Sequence, residues 1–332
     1  MFHHNSCPLC KSSEISPLLS CNDHLVSGET FELCRCGQCG FTFTNDPPNE
    51  NEAGRYYESP DYISHTDSRR TLFEKGYQAA RKIMLRRKRD LVFKTCNAKK
   101  GAILDIGSGT GHFLSVMKQA GWSVTGIEIN DVAREYSSSR FGLNVFAPEV
   151  MRTIPAQEYD CITLWHVAEH LYDLKGYFSE IGRLLKPGGS VIVALPNCNS
   201  FDADHYGKFW AAWDVPRHLW HFSPVTFSKL ADLICFETTT ISTLPFDVFY
   251  ISILSERNKR SSAGTMKGII KGMYFSFLSI FNKMKMSSVV YVLNRKPVNS
   301  GRATCISLSY RQNEGQLSAH GSHRLSAGSP VM

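Results

Sequence analysis

No apolar run in this chain is long enough to cross a membrane. The longest, Gly272 to Phe281, is bounded by Lys271 and Lys283, whereas a spanning helix needs about 20 apolar residues. No transmembrane segment is expected, and peripheral contact with a membrane surface stays open. The N-terminal stretch MFHHNSCPLC also lacks the apolar core of a secretory signal, so a cytoplasmic location is expected. Charge is scarce: 20% of the 332 residues are charged, with a formal net charge of +7. That excess permits nucleic-acid contact without demanding it. Residues 297–332 have few large apolar side chains and much Ser, Gly and His, which predicts a disordered tail.

Cysteine is present in quantity but unevenly. Six of the eleven fall within the first 39 residues: Cys7, Cys10, Cys21, Cys34, Cys36 and Cys39. Without an export signal, such clustering points to metal rather than disulfides. Cys7-Pro8-Leu9-Cys10 and Cys36-Gly37-Gln38-Cys39 are two Cys-x-x-Cys pairs. Each pair wraps one side of a tetrahedral ion, so Cys7, Cys10, Cys36 and Cys39 are the expected ligands of a structural Zn2+. Cys34 is an extra thiol that could compete.

Four regions are expected. Residues 1–46 form the zinc-binding knuckle, ending at Asp46-Pro47-Pro48. Residues 47–98 form a helical cap with a basic helix. Residues 99–296 alternate strands and helices, and 297–332 form the tail. From Arg69 to Lys100, twelve lysines and arginines stand against Glu74 and Asp90, a net charge of +10. That stretch is either a solvated helix face or a surface for RNA or an anionic substrate. In the third region, strands are expected at Ala102–Ile106, Ser123–Ile129, Asn144–Phe146, Tyr159–Trp165 and Ser190–Leu195, with two more near Thr238–Thr243 and Ser288–Leu293. Helices are expected at Phe113–Ala120, Asp131–Arg140, Tyr177–Leu185 and Val225–Cys235, the last with Ser223 as N-cap. This alternation predicts an α/β fold with a doubly wound, mostly parallel sheet.

The sharpest motif is Leu104-Asp105-Ile106-Gly107-Ser108-Gly109-Thr110-Gly111-His112. A strand runs into alternating glycines that open a helix, so a ligand can approach bare backbone. A dinucleotide site would have glycine where His112 stands, and Asp105 would repel a pyrophosphate. Asp105 suits a cation instead, and Glu128, near the end of the second strand, suits the two hydroxyls of a ribose.

At these residues the chain resembles the class I S-adenosylmethionine-dependent methyltransferases, over about residues 50–296. Tyr159-Asp160 and Leu185-Lys186-Pro187-Gly188-Gly189 are similar to that family too. The resemblance implies a Rossmann-like seven-stranded sheet with the last strand antiparallel. It implies that S-adenosylmethionine lies against Asp105, Gly107, Ser108, Gly109 and Gly111, with Glu128 and Ile129 at the ribose. Trp165 and Tyr57 are the other expected cofactor contacts, Tyr57 lying with Tyr56 and Tyr62 in an aromatic segment that closes over the cofactor or simply packs. The stretch Phe146-Ala147-Pro148-Glu149 departs from the family pattern at the adenine.

Ligands of open α/β sheets sit beyond the carboxyl ends of the strands. The fourth strand runs into His166-Val167-Ala168-Glu169-His170, and a later loop holds Pro216-Arg217-His218-Leu219-Trp220-His221. Both segments resemble those of a methyltransferase subgroup. His166, His218 and His221 are the candidate catalytic bases, because an imidazole titrates near neutrality. Ile269, Ile270, Met273, Tyr274, Phe277, Leu278 and Phe281 recur at helical spacing and predict a lid helix over the acceptor. A small-molecule or metabolite acceptor is expected. The alternatives are an RNA methyltransferase, using the knuckle and basic helix, and a non-catalytic cofactor-binding scaffold.

Overall fold

The computed structural model describes residues 3–58, 72–97 and 99–296. Tyr62, Arg69, Arg70 and the tail 297–332 lie outside these residues.

The central sheet has seven strands: β4 (Ala102–Ile106), β5 (Ser123–Ile127), β6 (Val145–Phe146), β7 (Tyr159–Trp165), β8 (Leu185–Pro196), β10 (Phe236–Thr243) and β11 (Ser288–Arg295). Their order is β10-β11-β8-β7-β4-β5-β6. The ladders from β6 across to β8 are all parallel. Only β11 runs against its neighbours, pairing antiparallel with β8 and β10. The seven-stranded, mostly parallel sheet expected from the sequence is therefore present. Chain order reverses between β4 and β7, which makes the carboxyl ends of these two strands the switch point where ligands bind.

Period-2 alternation divides the strands between two cores. Ile103, Cys161, Ile192 and Val290 face helices α1 (Leu72–Thr95) and α2 (His112–Gln119), which contribute Val92, Phe113 and Met117. Leu104, Ile162, Val191, Val193 and Val289 face the other way, onto Phe178 and Ile181 of α4 (Leu174–Leu184) and Phe227 and Leu230 of α6 (Pro224–Leu233). Between them in sequence are α3 (Asp131–Phe141) and the short α5 (Phe201–Tyr206). Helix starts follow the chemistry of their caps: Asn130 accepts from Ala133 N, Asp173 from Gly176 N, and Ser223 from Thr226 N ahead of Pro224. The segment Lys186–Gly189 is a bulge inside β8, because Tyr159 pairs with Leu185 and Cys161 already with Ser190.

A second sheet joins β1 (Ile15–Asn22), β2 (Thr30–Cys36), β3 (Thr42–Thr44) and β9 (Trp220–His221). Its last strand comes from the loop after β8, some 180 residues downstream of β3: Thr42 pairs with His221 and Phe43 with Trp220. Phe41, Phe43 and Leu9 accordingly belong to one continuous core with Trp220, Phe222 and the main sheet. Two helices follow β10, α7 (Asp247–Asn258) and α8 (Gly264–Phe281).

Candidate functional site

The glycine loop leaves β4 at Ile106 and opens α2. Gly107, Gly109 and Gly111 all take positive φ, +70°, +53° and +76°, a region that costs other residues about 1–2 kcal/mol. Their surroundings differ. A Cβ on Gly107 would stand 2.4 Å from Val167, and one on Gly111 2.7 Å from Leu143. At Gly109 nothing lies within 4 Å. Gly109 is thus the open floor of the cradle, while Gly107 and Gly111 are close-packing positions.

Glu128, one residue beyond β5, turns its carboxylate back to this loop and accepts from Gly109 N at 2.7 Å and Asn130 N at 2.9 Å. Ile129 beside it is 79% exposed. Ser108 Oγ and Trp165 Nε1 are buried without a hydrogen-bond partner, polar atoms that a ligand in the cradle can satisfy. Open backbone, an acid at the second strand end, an exposed apolar residue and two orphaned donors fit S-adenosylmethionine.

Asp105 lies beneath the loop, 2% exposed, and accepts from Thr163 Oγ1 at 2.6 Å. Burial raises its pKa to about 7, against the opposing pull of Thr163 and Lys88. Lys88 arrives from the basic helix α1, its Nζ 4.4 Å from the centroid of the Trp165 ring. Burial lowers its pKa, while Asp105 and Asp247 work in the opposite direction. One charge that looked like part of a solvated face therefore points at the switch point. Arg81, two turns earlier on the same helix, stands 3.3 Å from His112 Nε2.

The HVAEH segment abuts the cradle through Val167. His166 has φ of +58°. Its Nε2 is 2.9 Å from Asp247 Oδ2 and its Nδ1 3.6 Å from Glu169 Oε1, with 32% of the side chain exposed. Burial works to lower its pKa, but the two carboxylates prevail and raise it to about 9. Glu169 is 1% exposed and neither of its oxygens has a hydrogen-bond partner. A carboxylate oxygen of Glu169 and ring nitrogens of His170 and His218 lie within 4.8 Å of one another.

The two imidazoles are anchored in the same way. His170 Nδ1 meets Arg217 O at 3.0 Å and His218 Nδ1 meets Ala212 O at 2.9 Å. A carbonyl can only accept, so each Nδ1 carries a proton, and His218 Nε2 lies 3.8 Å from Asp214 Oδ2. Burial and the neighbouring His218 push His170 down to about 4. Tyr57 also reaches this group: its hydroxyl lies 3.2 Å from His170 Nδ1, which sets it beside the histidines.

His221 lies deeper, 3% exposed, with Nε2 3.0 Å from Thr44 Oγ1 in the second sheet. Burial drives its pKa far down, so it stays neutral.

In the N-terminal cluster, Cys7 Sγ and Cys39 Sγ are 3.5 Å apart, as are Cys10 Sγ and Cys36 Sγ at 3.6 Å. All four sulfurs fall within 4.8 Å of one another. A tetrahedral ion with Zn–S bonds of about 2.3 Å separates its sulfurs by about 3.8 Å, so the four thiols fit zinc. The amides of Cys10 and Cys39 point at Cys7 Sγ and Cys36 Sγ. Burial raises the Cys36 pKa, but the Cys39 amide and the Cys10 thiol outweigh it and bring the group down to about 7, whereas burial prevails at Cys7 and Cys39 and pushes both thiols up. Cys34 takes no part: its thiol lies on Glu32 Oε1 at 3.5 Å. Cys21 is also elsewhere, against Lys208 O.

Sequence reasoning missed Asp247, Lys88 and the Asp23–Arg217 pair. Arg217 NH2 bonds Asp23 Oδ1 at 2.9 Å and Asp214 Oδ1 at 2.7 Å, with the Arg217 and Asp23 side chains 1% and 0% exposed. No local pattern signals any of these, because each partner lies scores of residues away or looks like ordinary surface charge.

The comparisons with known proteins agree with this geometry. A methyltransferase-domain family model matches residues 77–240. A ubiquinone biosynthesis O-methyltransferase from Bordetella avium is 32% identical over 104 residues, covering 29% of this chain and 43% of that enzyme. The same-named enzyme of Pseudomonas aeruginosa is 33% identical over 105 residues, covering 29% and 45%. The chain thus spans less than half the length of these curated relatives. Among solved structures, a SAM-dependent methyltransferase from Archaeoglobus fulgidus aligns at 18% identity, covering 67% of this chain and 97% of that one, with a TM-score of 0.45. A 1,6-didemethyltoxoflavin-N1-methyltransferase from Burkholderia thailandensis aligns at 14% identity over 68% and 86%, with a TM-score of 0.42. Residues 77–240 are a methyltransferase domain, and the mostly parallel seven-stranded sheet with β11 antiparallel is like that of the class I S-adenosylmethionine-dependent methyltransferases.

Proposed function

We propose that the protein methylates a small-molecule acceptor held over the carboxyl ends of β4 and β7. The observation that carries this reading is the contact of two unlike half-sites. The glycine cradle and the HVAEH segment touch at Gly107 and Val167, so a bound cofactor lies next to a cluster of imidazoles and the buried Glu169 carboxylate. S-adenosylmethionine supplies an electrophilic methyl group on a sulfonium. Asp105, Ser108, Gly109 and Glu128 hold it, and Trp165 closes the inner wall. The curated relatives are named as O-methyltransferases of ubiquinone biosynthesis, which favours a small organic acceptor.

Transfer in line with the sulfonium needs positioning above all. His166 is fixed between Asp247 and Glu169 and remains partly open. As an imidazolium, the form it keeps below about 9, it steadies an acceptor oxyanion. His218, whose Nε2 lies 3.8 Å from Asp214 Oδ2, is the candidate base. His221, committed to Thr44, anchors the loop. The four thiolates of Cys7, Cys10, Cys36 and Cys39 hold a structural zinc with no open position, stiffening the sheet to which β9 is tied.

Incubation with methyl-labelled S-adenosylmethionine, followed by separation of small-molecule and RNA fractions of a cell extract, tests this reading. Label in the small-molecule fraction supports it. Label in RNA, or none in either fraction, overturns it.

A further inference from the structure

Helix α8 packs by its glycines rather than by its large apolar side chains. A Cβ on Gly268 would stand 2.5 Å from Ile253 Cα, and one on Gly272 2.7 Å from a ring carbon of Phe249. Both neighbours belong to α7. Phe275 fills the remaining contact, against His205 and Tyr206 of α5. Of the stripe expected to lie over an acceptor, Ile269 and Leu278 are half-buried and the rest faces outward. Ile270, Met273, Tyr274, Phe277, Ile280 and Phe281 are each more than half exposed, Phe281 at 74%. Contiguous apolar surface of this kind marks an interaction face.

Along the chain, the charge flanking that face has one sign. From Arg257 to Met286 the chain has seven lysines and arginines and no aspartate or glutamate. Arg257, Lys259, Arg260, Lys267 and Lys283 are exposed, and Lys285 is paired with Asp204. We infer that α8 docks the protein on an anionic bilayer surface, its apolar face in the headgroup boundary and the flanking cations on lipid phosphates. An apolar stripe bordered by lysine and arginine is the chemistry of a helix lying in that boundary. Each cation near an anionic surface adds to that attraction.

Other occupants fit less well. No helix among the described residues is long and apolar enough to cross a membrane. A second copy meeting this face symmetrically would bring two all-basic rims together, which repel. Closure over the chain's own site would require α8 to leave the glycine contacts that fix it to α7. The inference holds whatever the acceptor is. It also bears on the site, because α7 starts at Asp247, the partner of His166.

The test uses the full chain with vesicles of phosphatidylcholine, alone or mixed with phosphatidylglycerol, and reads sedimentation with the lipid. Binding is expected only with phosphatidylglycerol and should weaken as salt rises. Phe277→Glu with Phe281→Glu should reduce partitioning at least about tenfold, since two buried rings are lost. Both positions are exposed, so S-adenosylmethionine binding and circular dichroism should not change. Absence of binding to anionic vesicles, or equal binding by the double variant, overturns the proposal. So does a wild-type dimer in analytical ultracentrifugation that the same variant converts to monomer, since a second copy would then cover the face.

Discussion

Asp247 Oδ2 and His166 Nε2 meet at 2.9 Å although 81 residues separate them in the chain. The carboxylate holds the imidazolium form, which is why His166 titrates near 9 rather than near its ordinary 6.5. Asp247→Asn keeps an acceptor oxygen but removes the charge. The pKa of His166 should fall, and the alkaline limb of the pH–rate profile should move to lower pH with it. A limb that stays in place would show that another group titrates. The stabilisation from this pair is complete below pH 6.5 and should fade as pH rises through about 9.

Asp105 titrates near 7 because it is buried. A bound cation favours its ionised form, so cofactor binding should expel a proton at acid pH. Titration calorimetry should find affinity for S-adenosylmethionine nearly constant above pH 8 and falling by up to about tenfold per pH unit below 7. Asp105→Asn should weaken binding and flatten this dependence. A wild-type affinity independent of pH would remove Asp105 from the cofactor contacts.

Gly109 and Gly111 share a left-handed backbone but not their surroundings. Gly109→Ala meets open space, so it should cost about 1–2 kcal/mol in stability and lose most of the cofactor affinity. Gly111→Ala drives a methyl group into Ser137 and Leu143, so it should cost about 1–3 kcal/mol more. Chemical denaturation beside calorimetry separates the two effects. Equal stability in both variants would contradict the packing described for Gly111.

One zinc per chain is expected from elemental analysis of protein prepared without chelator. Cys36→Ser should lose it, while Cys34→Ser and Cys21→Ser should retain it, because those two thiols lie on Glu32 and Lys208 instead. Zinc loss in the Cys34 variant would redraw the ligand set.

Arg217→Met should destabilise the protein by about 3–5 kcal/mol in denaturant titrations, since it strands the buried charge of Asp23. The double change Arg217→Met with Asp23→Leu should recover much of that loss. Equal instability in the single and double variants would mean that packing, not charge, dominates there.

Much of this protein was legible locally. The run from Leu104 to His112 dictates strand, tight glycine turn and helix through backbone sterics alone. Ser223-Pro224 marks a helix start, and the two Cys-x-x-Cys pairs define the sulfur cluster, because each depends on neighbours in sequence. The expected boundary at residue 46 shows the limit. The sequence separates the cysteine-rich segment by composition, yet β3 completes its sheet with Trp220 and His221, and its aromatics share the main core.

The same limit governs the site. The sequence by itself determined the residue types at the sheet edge: the glycines, the acids Asp105 and Glu128, and the histidines. Only the tertiary structure decided their protonation and their orientation. His166 became a stabilised cation because α7 delivered Asp247, and His221 became an uncharged anchor because β3 delivered Thr44. Helix α8 turned its apolar stripe outward because glycines at 268 and 272 allowed close approach to α7. Local sequence fixes backbone conformation through short-range sterics, whereas a pKa or a buried face depends on which distant groups displace water around it.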